Sequence, residues 1–380
     1  MRALRTALAA AALALACAFA APAFARGEPG AGTLPASSVT GVPEAGTYRV
    51  HVIDVGTGLS VFVEGSDFAL LFDAGSNDDF ARGAGNRVIA YLKAVRPDLT
   101  RLDHLILSHP HKDHSELMPD VLAAYQVANL WDSGSLNPIC SYRMLLTAAK
   151  DKTGLTYHDA IAGTGDHRAV FKTQTCYGKS VPGGTVEVHR GTQIVPKLEV
   201  PLGAGATMTF LHAYGAETTD FNNASVVVRL ALGTRHILLP GDAQGGGRQV
   251  PTKPVANGSV ENQVLDCCAA LMASDVLVAG HHGSKTSSRT AFLEGIGAKT
   301  YVISAGPTKY GSVILPDDEV RDELLRRGTL WRTDGNDKAC KTSTTKIGNR
   351  NDGKAGGCEN VVILIGADGT MSAGYFPEGR

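Results

Sequence analysis

Short apolar runs and apolar/polar alternation recur along the chain from about residue 48 to residue 375. Both patterns are typical of β-strands when turn residues such as glycine and proline flank them. They predict strands at 48–54, 59–64, 68–73, 104–107, 129–132, 206–211, 225–232, 236–239, 276–279, 300–304, 361–365 and 371–375.

Apolar residues at helical spacing separate many of these strands. In the first such segment Val88, Ile89, Leu92 and Val95 fall on one face, and Pro97 ends the helix. The spacing predicts helices at 86–95, 115–127, 142–150, 263–272, 290–296 and 317–326. Two blocks of strands with intervening helices predict a layered α/β sandwich without an internal repeat.

The pattern weakens between residues 133 and 200, where the chain is polar and rich in glycine. We expect an irregular insertion here, beside the functional site, because long loops in compact domains usually carry function or move. His167 and His189 are expected to be exposed residues of this insertion, with lining of a substrate cleft as the alternative.

The first residues have the features of a secretory signal peptide. Arg2 and Arg5 precede an apolar run from Ala7 to Ala21, and Ala23-Phe24-Ala25 fits a cleavage site. We therefore predict a signal peptide at 1–25, a flexible leader at 26–46 and one folded domain at 47–380. The protein is expected to be exported, periplasmic or secreted, without stable membrane insertion after cleavage.

Six cysteines follow the predicted signal peptide, an even number that favours disulfides in an exported protein. We expect Cys140 to pair with Cys176 and Cys340 with Cys358. The adjacent Cys267 and Cys268 are interpreted as one core residue and one residue with an outside partner.

The composition indicates an ordinary globular protein. The 380 residues are 43% hydrophobic and carry a formal net charge of −1. This near-neutral balance gives no basic footprint for tight binding to nucleic acid. The sequence gives no prediction of oligomeric state.

Three histidines and one aspartate fall within the six residues 109–114, directly after the predicted strand 104–107. Imidazole and carboxylate are ligands that zinc and similar divalent metals prefer. The alternative is a histidine-rich surface loop. Two further strand ends carry potential ligands, Asp242 and the pair His281 and His282. Because active sites form where strand ends converge, the three segments together predict a metal site.

The spacing His109-x-His111-x-Asp113-His114 resembles the hallmark of the metallo-β-lactamase superfamily. The resemblance is closest to the hydrolase domain of the competence DNA-uptake protein ComEC and covers nearly the whole chain after the signal peptide. The segments that carry it are Ile53–Gly58, Leu71–Gly75, Asn223–Val227, Leu239–Ala243 and His281–Ser288. It implies a four-layer αβ/βα sandwich with two divalent metal ions, zinc or, as in some nucleases, manganese.

The resemblance also implies a role for each ligand. By position, His109 and His111 would bind metal one, and Asp113 and His114 would bind metal two. Asp242 would bridge the two metals, and His281 or His282 would complete metal two. We favour His281 because it lies nearer the strand end.

The chain departs from the superfamily pattern at two places. The histidine usually found before the strand leading to Asp242 is absent, so Asp220, Asn222 or water is expected in its place, with His212 as a further candidate. The ComEC-like branch also tends to carry Tyr-Gly-His-Pro, whereas this chain has Tyr310-Gly311-Ser312. The substrate-contacting or proton-donating group is therefore missing or supplied by His282 or Lys285.

Two divalent cations lower the pKa of a shared water and generate hydroxide near neutral pH. We expect Asp113 to orient that hydroxide, and Asp54 and Asp73 to support the ligating histidines. The predicted function is hydrolysis of a small or polymeric phosphoester, with nucleic acid as a candidate that the charge does not support. The alternatives are a β-lactamase or lactonase and a non-catalytic binding protein that retains the fold.

Overall fold

A computed structural model describes residues 32–215, 218–349 and 352–377. The predicted signal peptide and the first six residues of the predicted leader lie outside these ranges. The strands, in chain order, are β1 (Tyr48–Val52), β2 (Val61–Glu64), β3 (Ala69–Phe72), β4 (Arg101–Ile106), β5 (Gln126–Trp131), β6 (Thr156–His158), β7 (His167–Phe171), β8 (Gln174–Cys176), β9 (Lys179–Val181), β10 (Gly184–Val188), β11 (Glu199–Gly203), β12 (Ala206–His212), β13 (Val227–Leu232), β14 (Arg235–Leu239), β15 (Val276–Val278), β16 (Thr300–Ile303), β17 (Thr329–Arg332), β18 (Val361–Ile365) and β19 (Met371–Tyr375).

Helices connect and cover these strands. They are α1 (Ala36–Val39), α2 (Arg87–Val95), α3 (Lys112–Ser115), α4 (Met118–Ala124), α5 (Cys140–Lys150), α6 (Val260–Cys268), α7 (Thr290–Ile296), α8 (Asp318–Arg327) and α9 (Asp337–Cys340). The side chain of Asn86 caps α2 by accepting from the backbone N–H groups of Val88 and Ile89, which satisfies two donors of the first turn.

Two sheets form the centre of the molecule. The first has the order β19-β18-β1-β2-β3-β4-β5-β6, and the second has the order β11-β12-β13-β14-β15-β16-β17. Strands β3 to β6 run parallel, and so do β14 to β17. The parallel half of each sheet therefore presents several strand carboxyl ends at one edge.

The apolar residues divide into three layers, which confirms the predicted four-layer αβ/βα sandwich. One layer packs α2, α4 and α5 against the first sheet, for example through Leu92 and Leu105. The middle layer joins the two sheets through residues such as Phe72 and Val228. The third packs α6, α7 and α8 against the second sheet.

The helices and strands predicted from the sequence agree with most of the observed ones. The predictions and the structure differ where the apolar pattern is short. The predicted helix 115–127 is too long, because α4 ends at Ala124 and Gln126 already begins β5. Strands β6, β11 and β17 and the hairpin strands β7 to β10 lie outside the predicted strands. These hairpin strands are short and each buries at most three side chains, so their apolar faces are narrow.

The prediction of a flexible leader is wrong for residues 32–46. The backbone N–H of Leu34 donates to the carbonyl of Tyr375 at 3.0 Å, which places this segment beside the outer strand β19. Helix α1 follows, and its Val39 is fully buried. Few apolar residues mark this segment, so its attachment to the sheet edge is visible only in the fold.

The predicted helix 142–150 is present as α5 and packs in the outer layer. The interpretation of the remaining residues of 133–200 as irregular is wrong, because β6 joins the first sheet, β7 pairs with β10, and β8 pairs with β9. His167 is buried, and its Nδ1 lies 3.0 Å from a carboxylate oxygen of Asp159. His189 is exposed, as expected.

Disulfides join Cys140 to Cys176 and Cys340 to Cys358, as the sequence predicted. Cys267 and Cys268 bond to each other, so the expectation of a separate partner is wrong. Among the described residues, no helix combines the length and apolar character needed to cross a lipid bilayer.

Candidate metal centre

The predicted metal ligands lie at the carboxyl ends of parallel strands in both sheets. Residues 109–114 follow β4, Asp242 follows β14, and His281 and His282 follow β15. Strand carboxyl ends of an α/β sheet commonly form a ligand crevice. The structure brings the three segments together around a single pocket of about 380 Å³.

The segment that follows β4 is held by backbone contacts. The backbone N–H of Leu59 donates to the carbonyl of Asp113 at 3.0 Å. Gly75 packs against the same peptide so closely that a Cβ there would lie 2.2 Å from the backbone carbon of Asp113. Only glycine permits this approach, which explains the glycine after Asp73-Ala74.

The first ligand group consists of His109, His111 and Asp242. Their donor atoms all lie within 4.8 Å of one another. Nε2 of His109 is 2.9 Å from Nδ1 of His111, so the two ring nitrogens point at the same place. Nε2 of His109 is also 3.6 Å from Oδ2 of Asp242.

The second ligand group consists of Asp113, His114 and His282, again with donor atoms within 4.8 Å of one another. Nε2 of His282 lies 3.5 Å from Asp113 and 3.7 Å from Asp242. The sequence favoured His281 for this position, but the structure places His282 there. His281 instead lines the pocket, with its Nε2 at 3.7 Å from Asp242.

The backbone explains why the second histidine of the pair enters the group. His281 and His282 have φ values of 52° and 54°, in the left-handed region that residues other than glycine seldom adopt. Each such residue costs on the order of 1 kcal/mol or more, a strain typical of functional sites. The turn directs His282 inward, where its Nδ1 donates to the carbonyl of Ser304 at 2.9 Å.

Asp73 orients His114, a member of the second ligand group, through a hydrogen bond to its ring. Its Oδ2 lies 2.7 Å from Nδ1 of His114 and also accepts from the hydroxyl of Ser108 at 2.7 Å. This contact keeps a hydrogen on Nδ1 of His114 and turns Nε2 toward the centre, where it would face a metal. Asp54 does not share the role predicted for it, because its carboxylate accepts from the backbone N–H groups of Gly56, Cys358 and Glu359.

Charges in the centre stabilise the ionised carboxylates. Burial opposes ionisation of Asp242, but the surrounding histidines, His114 foremost, hold its pKa well below the usual range. Burial likewise disfavours the charged form of His114, yet Asp242 and Asp73 raise its pKa well above the usual value. A metal ion at this place therefore displaces a proton.

Of the residues considered as substitutes for the absent histidine, Asn222 faces the first ligand group. It is buried and lines the pocket beside His111 and Asp242. Asp220 instead accepts from the backbone N–H of Asn222. His212 bonds through Nδ1 to the carbonyl of Ser225 at 2.7 Å and does not line the pocket, so it is a core residue.

Lys285 does not enter the centre. Its Nζ donates to Glu319 at 2.9 Å, so the prediction of Lys285 as a catalytic group is not supported by the geometry. Sequence reasoning instead missed Tyr310, whose hydroxyl donates to Oδ2 of Asp113 and whose ring stacks on His282 at 6.2 Å. The sequence signal for Tyr310 was its place in Tyr310-Gly311-Ser312, the counterpart of the Tyr-Gly-His-Pro motif of the ComEC-like branch.

The unpaired atoms of the centre fit a bound metal. Buried polar atoms rarely lack a hydrogen bond. Within the described residues, four such atoms belong to the centre: His114 Nε2, His282 Nε2, Asp242 Oδ1 and Asn222 Oδ1. Imidazole nitrogens and carboxylate oxygens in this number are the donor set of a divalent transition metal.

Two curated proteins are similar to this chain in sequence. Recombination protein 2 of Haemophilus influenzae is 24% identical over 260 residues, which cover 68% of this chain and 24% of that protein. Competence protein ComA of Neisseria gonorrhoeae is 26% identical over 295 residues, which cover 77% of this chain and 32% of that protein. The chain thus spans about a third or less of the length of these relatives. Their names agree with the resemblance to the ComEC-like branch.

Solved structures include similar chains. The metallo-beta-lactamase fold protein YhfI from Bacillus subtilis has a TM-score of 0.41 and 14% identity, covering 75% of this chain and 96% of that one. CmlA, a diiron beta-hydroxylase from Streptomyces venezuelae, has a TM-score of 0.40 and 15% identity, covering 77% of this chain and 53% of that one.

The family model described as "Metallo-beta-lactamase superfamily" matches residues 53–306, more than half of the chain. This range contains both ligand groups and the strands that carry them. The chain therefore belongs to the metallo-β-lactamase superfamily, whose members are usually metal-dependent hydrolases.

Proposed function

We propose that this protein is an exported hydrolase of phosphoesters that uses two divalent metal ions. The observation that carries the proposal is the meeting of two three-residue ligand groups at one pocket. In two-metal hydrolases such an arrangement serves displacement at phosphorus.

The first ligand group, His109, His111 and Asp242, is proposed to hold one ion. The second ligand group holds the other, with Asp242 close enough to both groups to bridge them: its Oδ1 lies 3.2 Å from Nε2 of His114 and its Oδ2 3.6 Å from His109. When bound, the ions activate a water and neutralise charge that develops on the substrate oxygen.

Asn222 is proposed to complete the first ligand group. Its Oδ1 is buried and has no hydrogen-bond partner among the described residues, and the side chain lines the pocket next to His111. An amide oxygen is a harder ligand than imidazole and suits manganese better than zinc. Each ligand group supplies two imidazole nitrogens, and Asn222 adds an amide oxygen to the first group, so this assignment makes the first group the better manganese site of the two.

The chain's own residues position the reacting groups. Tyr310 donates its hydroxyl hydrogen to Asp113 and fixes the orientation of that carboxylate. Nδ1 of His281 lies 2.6 Å from the hydroxyl of Thr286, which fixes the ring at the pocket wall. Both contacts hold polar groups in place before substrate arrives, which lowers the cost of reorganisation.

Export is part of the proposal. Three disulfides join the six cysteines that follow residue 25, and disulfides persist in oxidising compartments outside the cytosol. Fractionation of cells that express the full chain tests this. Recovery of shortened, disulfide-bonded protein outside the cytoplasm supports export, and recovery of full-length reduced protein in the cytoplasm contradicts it.

Metal analysis and three assays in parallel test the enzymatic proposal. Purified protein is expected to hold two divalent ions and to hydrolyse bis(p-nitrophenyl) phosphate, with plasmid DNA and a chromogenic cephalosporin as comparison substrates. His111→Ala and Asp242→Ala should abolish activity, while His189→Ala, at an exposed histidine, should not. Cephalosporin turnover without phosphodiester cleavage overturns the phosphoester assignment, and a metal-free protein inactive on all three points to a binding function.

A further inference from the structure

A second cavity lies between β6 and β11, the outermost strands of their sheets. Its volume is about 480 Å³, within the usual range for small-molecule sites, and it shares no lining residue with the metal pocket. His104 of β4, Trp131 of β5 and His158 of β6 line it from the first sheet. Residues 198–202, which include most of β11, line it from the second sheet. We call this space the edge cavity.

One nearly buried histidine presents an unpaired donor to the edge cavity. The indole N–H of Trp131 can only donate, and it donates to Nδ1 of His104 at 3.1 Å. Burial lowers the pKa of His104 to about 4, so near pH 7 the ring is neutral and carries its hydrogen on Nε2. His104 is only 6% exposed, yet within the described ranges its Nε2 has no hydrogen-bond partner. This N–H is therefore available to a ligand in the cavity.

A directed chain of hydrogen bonds orders the neighbouring polar groups. The backbone N–H of Thr192 can only donate, and it lies 2.9 Å from Nδ1 of His158, closer than the Thr192 carbonyl at 3.2 Å. Burial lowers the pKa of His158, so the neutral ring donates through Nε2 to Oδ1 of Asn129 at 3.1 Å. Nδ2 of Asn129 then donates to the carbonyl of Asp103 at 3.0 Å. Because this wall is ordered in advance, little entropy is lost when a ligand binds there.

The charges around the edge cavity disfavour an anionic ligand. Arg101 lines the cavity but pairs with Asp103 at 3.0 Å. Asp67 and Glu199 line it as well, and among the described residues neither forms an ion pair with a cation. Since both lining histidines are neutral, carboxylates outnumber cations, and a negatively charged ligand is repelled.

The donors and acceptors of the edge cavity together match a hydroxyl group. The oxygen of a hydroxyl accepts from the His104 N–H, and its hydrogen donates to a carboxylate such as that of Glu199. A simple cation has no acceptor for the His104 N–H, and an apolar ligand leaves both kinds of group unpaired. The second-sheet wall adds the apolar side chains of Leu198 and Val200. A ligand with several hydroxyls and an apolar C–H face fits both walls.

We infer that the edge cavity binds a pyranose sugar. Its hydroxyls bond to the N–H of His104 and to the carboxylates of Asp67 and Glu199, and its C–H face lies against Val200. This is a binding site apart from the metal centre, and it holds whether or not the proposed hydrolase activity is correct.

Isothermal titration calorimetry of the full protein with three sugars tests the inference. The probes are the methyl pyranosides of glucose, mannose and N-acetylglucosamine. At least one is expected to bind with a Kd on the order of 1 mM, the value that an ordinary ligand efficiency gives for a ligand of this size. Maltotriose, mannotriose and chitotriose are titrated in parallel. Tighter binding of the trisaccharide assigns the site to the end of a glycan, and equal or weaker binding assigns it to a free sugar.

Three variants locate the bound sugar. His104→Phe keeps a ring but removes the donor, and Glu199→Ala removes an exposed acceptor; each is expected to weaken binding about threefold to tenfold. Val200→Phe fills the cavity and should abolish binding. His189→Phe and Val170→Phe, at exposed positions that do not line the cavity, are the matched controls and should bind as wild type does.

Nuclear magnetic resonance of the histidine rings gives an independent measurement. A long-range proton–nitrogen spectrum is expected to show His104 with hydrogen on Nε2, and the bound sugar should shift that nitrogen signal. The signals of the exposed His189 should not move. A spectrum with hydrogen on Nδ1 of His104 contradicts the assigned donor.

The outcomes separate this inference from the proposed function, because none of them depends on hydrolysis. Circular dichroism checks that each variant folds; if His104→Phe does not, Glu199→Ala and Val200→Phe carry the test. Absence of binding by all three pyranosides overturns the inference. Binding that is unchanged in Val200→Phe, or lost in the metal-ligand variant His111→Ala, places the sugar elsewhere and overturns it too.

Discussion

Oδ2 of Asp73 lies 2.7 Å from Nδ1 of His114, and neither side chain is exposed to solvent. Through this contact the end of β3 controls the direction of a histidine that follows β4. The free Nε2 of His114 then faces Asp242 at 3.2 Å. Asp73 is thus the residue on which the geometry of the second ligand group depends.

Replacing Asp73 with asparagine should weaken metal binding at the second ligand group. The amide NH₂ favours the tautomer with hydrogen on Nε2 and so blocks the ligand atom. Loss of such a supporting contact typically lowers metal affinity or activity 10- to 100-fold. Competition with a metal chelator measures the change. Asp132→Asn is the matched control, since Asp132 is equally buried but bonds Tyr142 and Tyr157; equal loss of affinity in both variants would contradict the assigned role.

Tyr310→Phe should lower kcat while metal content stays at the wild-type value. It removes the hydrogen bond to Asp113, and a hydrogen bond to a charged group is worth about 1.5–3 kcal/mol, or roughly 10- to 150-fold. Steady-state kinetics with metal analysis on the same sample measures both. Lys285→Ala is the comparison and should retain activity, because Lys285 pairs with Glu319. An inactive Lys285→Ala with a fully active Tyr310→Phe would restore the sequence-based assignment.

Substitutions at Asn222 should change metal preference. Asn222→Ala removes the proposed oxygen ligand and is expected to lower the affinity of one of the two sites, leaving the other unchanged. Asn222→His supplies an imidazole nitrogen and should shift that site from manganese toward zinc. Isothermal titration with each metal gives stoichiometry and affinity. If both variants bind both metals as wild type does, Asn222 is a wall of the pocket and not a ligand.

His104 should make stability depend on pH. Burial lowers the pKa of His104 to about 4, and its Nδ1 accepts the N–H of Trp131 at 3.1 Å. The unfolded chain, with an ordinary histidine pKa near 6.5, binds this proton first as the pH falls. Stability from His104 is therefore complete above about pH 6.5 and is lost as the pH falls toward 4, by at most about 3 kcal/mol.

Urea unfolding at pH 7.5, 6 and 5 tests this. His104→Gln should flatten the fall in unfolding free energy relative to wild type. His189→Gln, at the exposed histidine, should leave the slope unchanged. A parallel fall in wild type and His104→Gln would show that other groups control the pH dependence.

Local pattern predicted the layered α/β sandwich and many of its elements, whereas the four-layer αβ/βα arrangement was implied by the family resemblance. The predicted strands near 361–365 and 371–375 and the predicted helix near 290–296 agree with the observed elements Val361–Ile365, Met371–Tyr375 and Thr290–Ile296. These elements lie in contact with the core, so their apolar periodicity is strong. The leader at 32–46 and the hairpins at 167–188 escaped prediction because their stability comes from contacts with distant segments or from narrow apolar faces.

The sequence by itself determined which residue types reach the centre. The candidate ligands stand at strand ends, and such ends must meet in an α/β sandwich; they are His109, His111, Asp113, His114, Asp242 and the His281-His282 pair. Only the tertiary structure decided which member of that pair joins the second ligand group, because the left-handed backbone at His281 and His282 sets the direction of each side chain. Only the fold brought Tyr310 to Asp113, across a separation that no local pattern records. Ligand identity follows from residue type, whereas orientation and long-range proximity depend on how the two sheets pack.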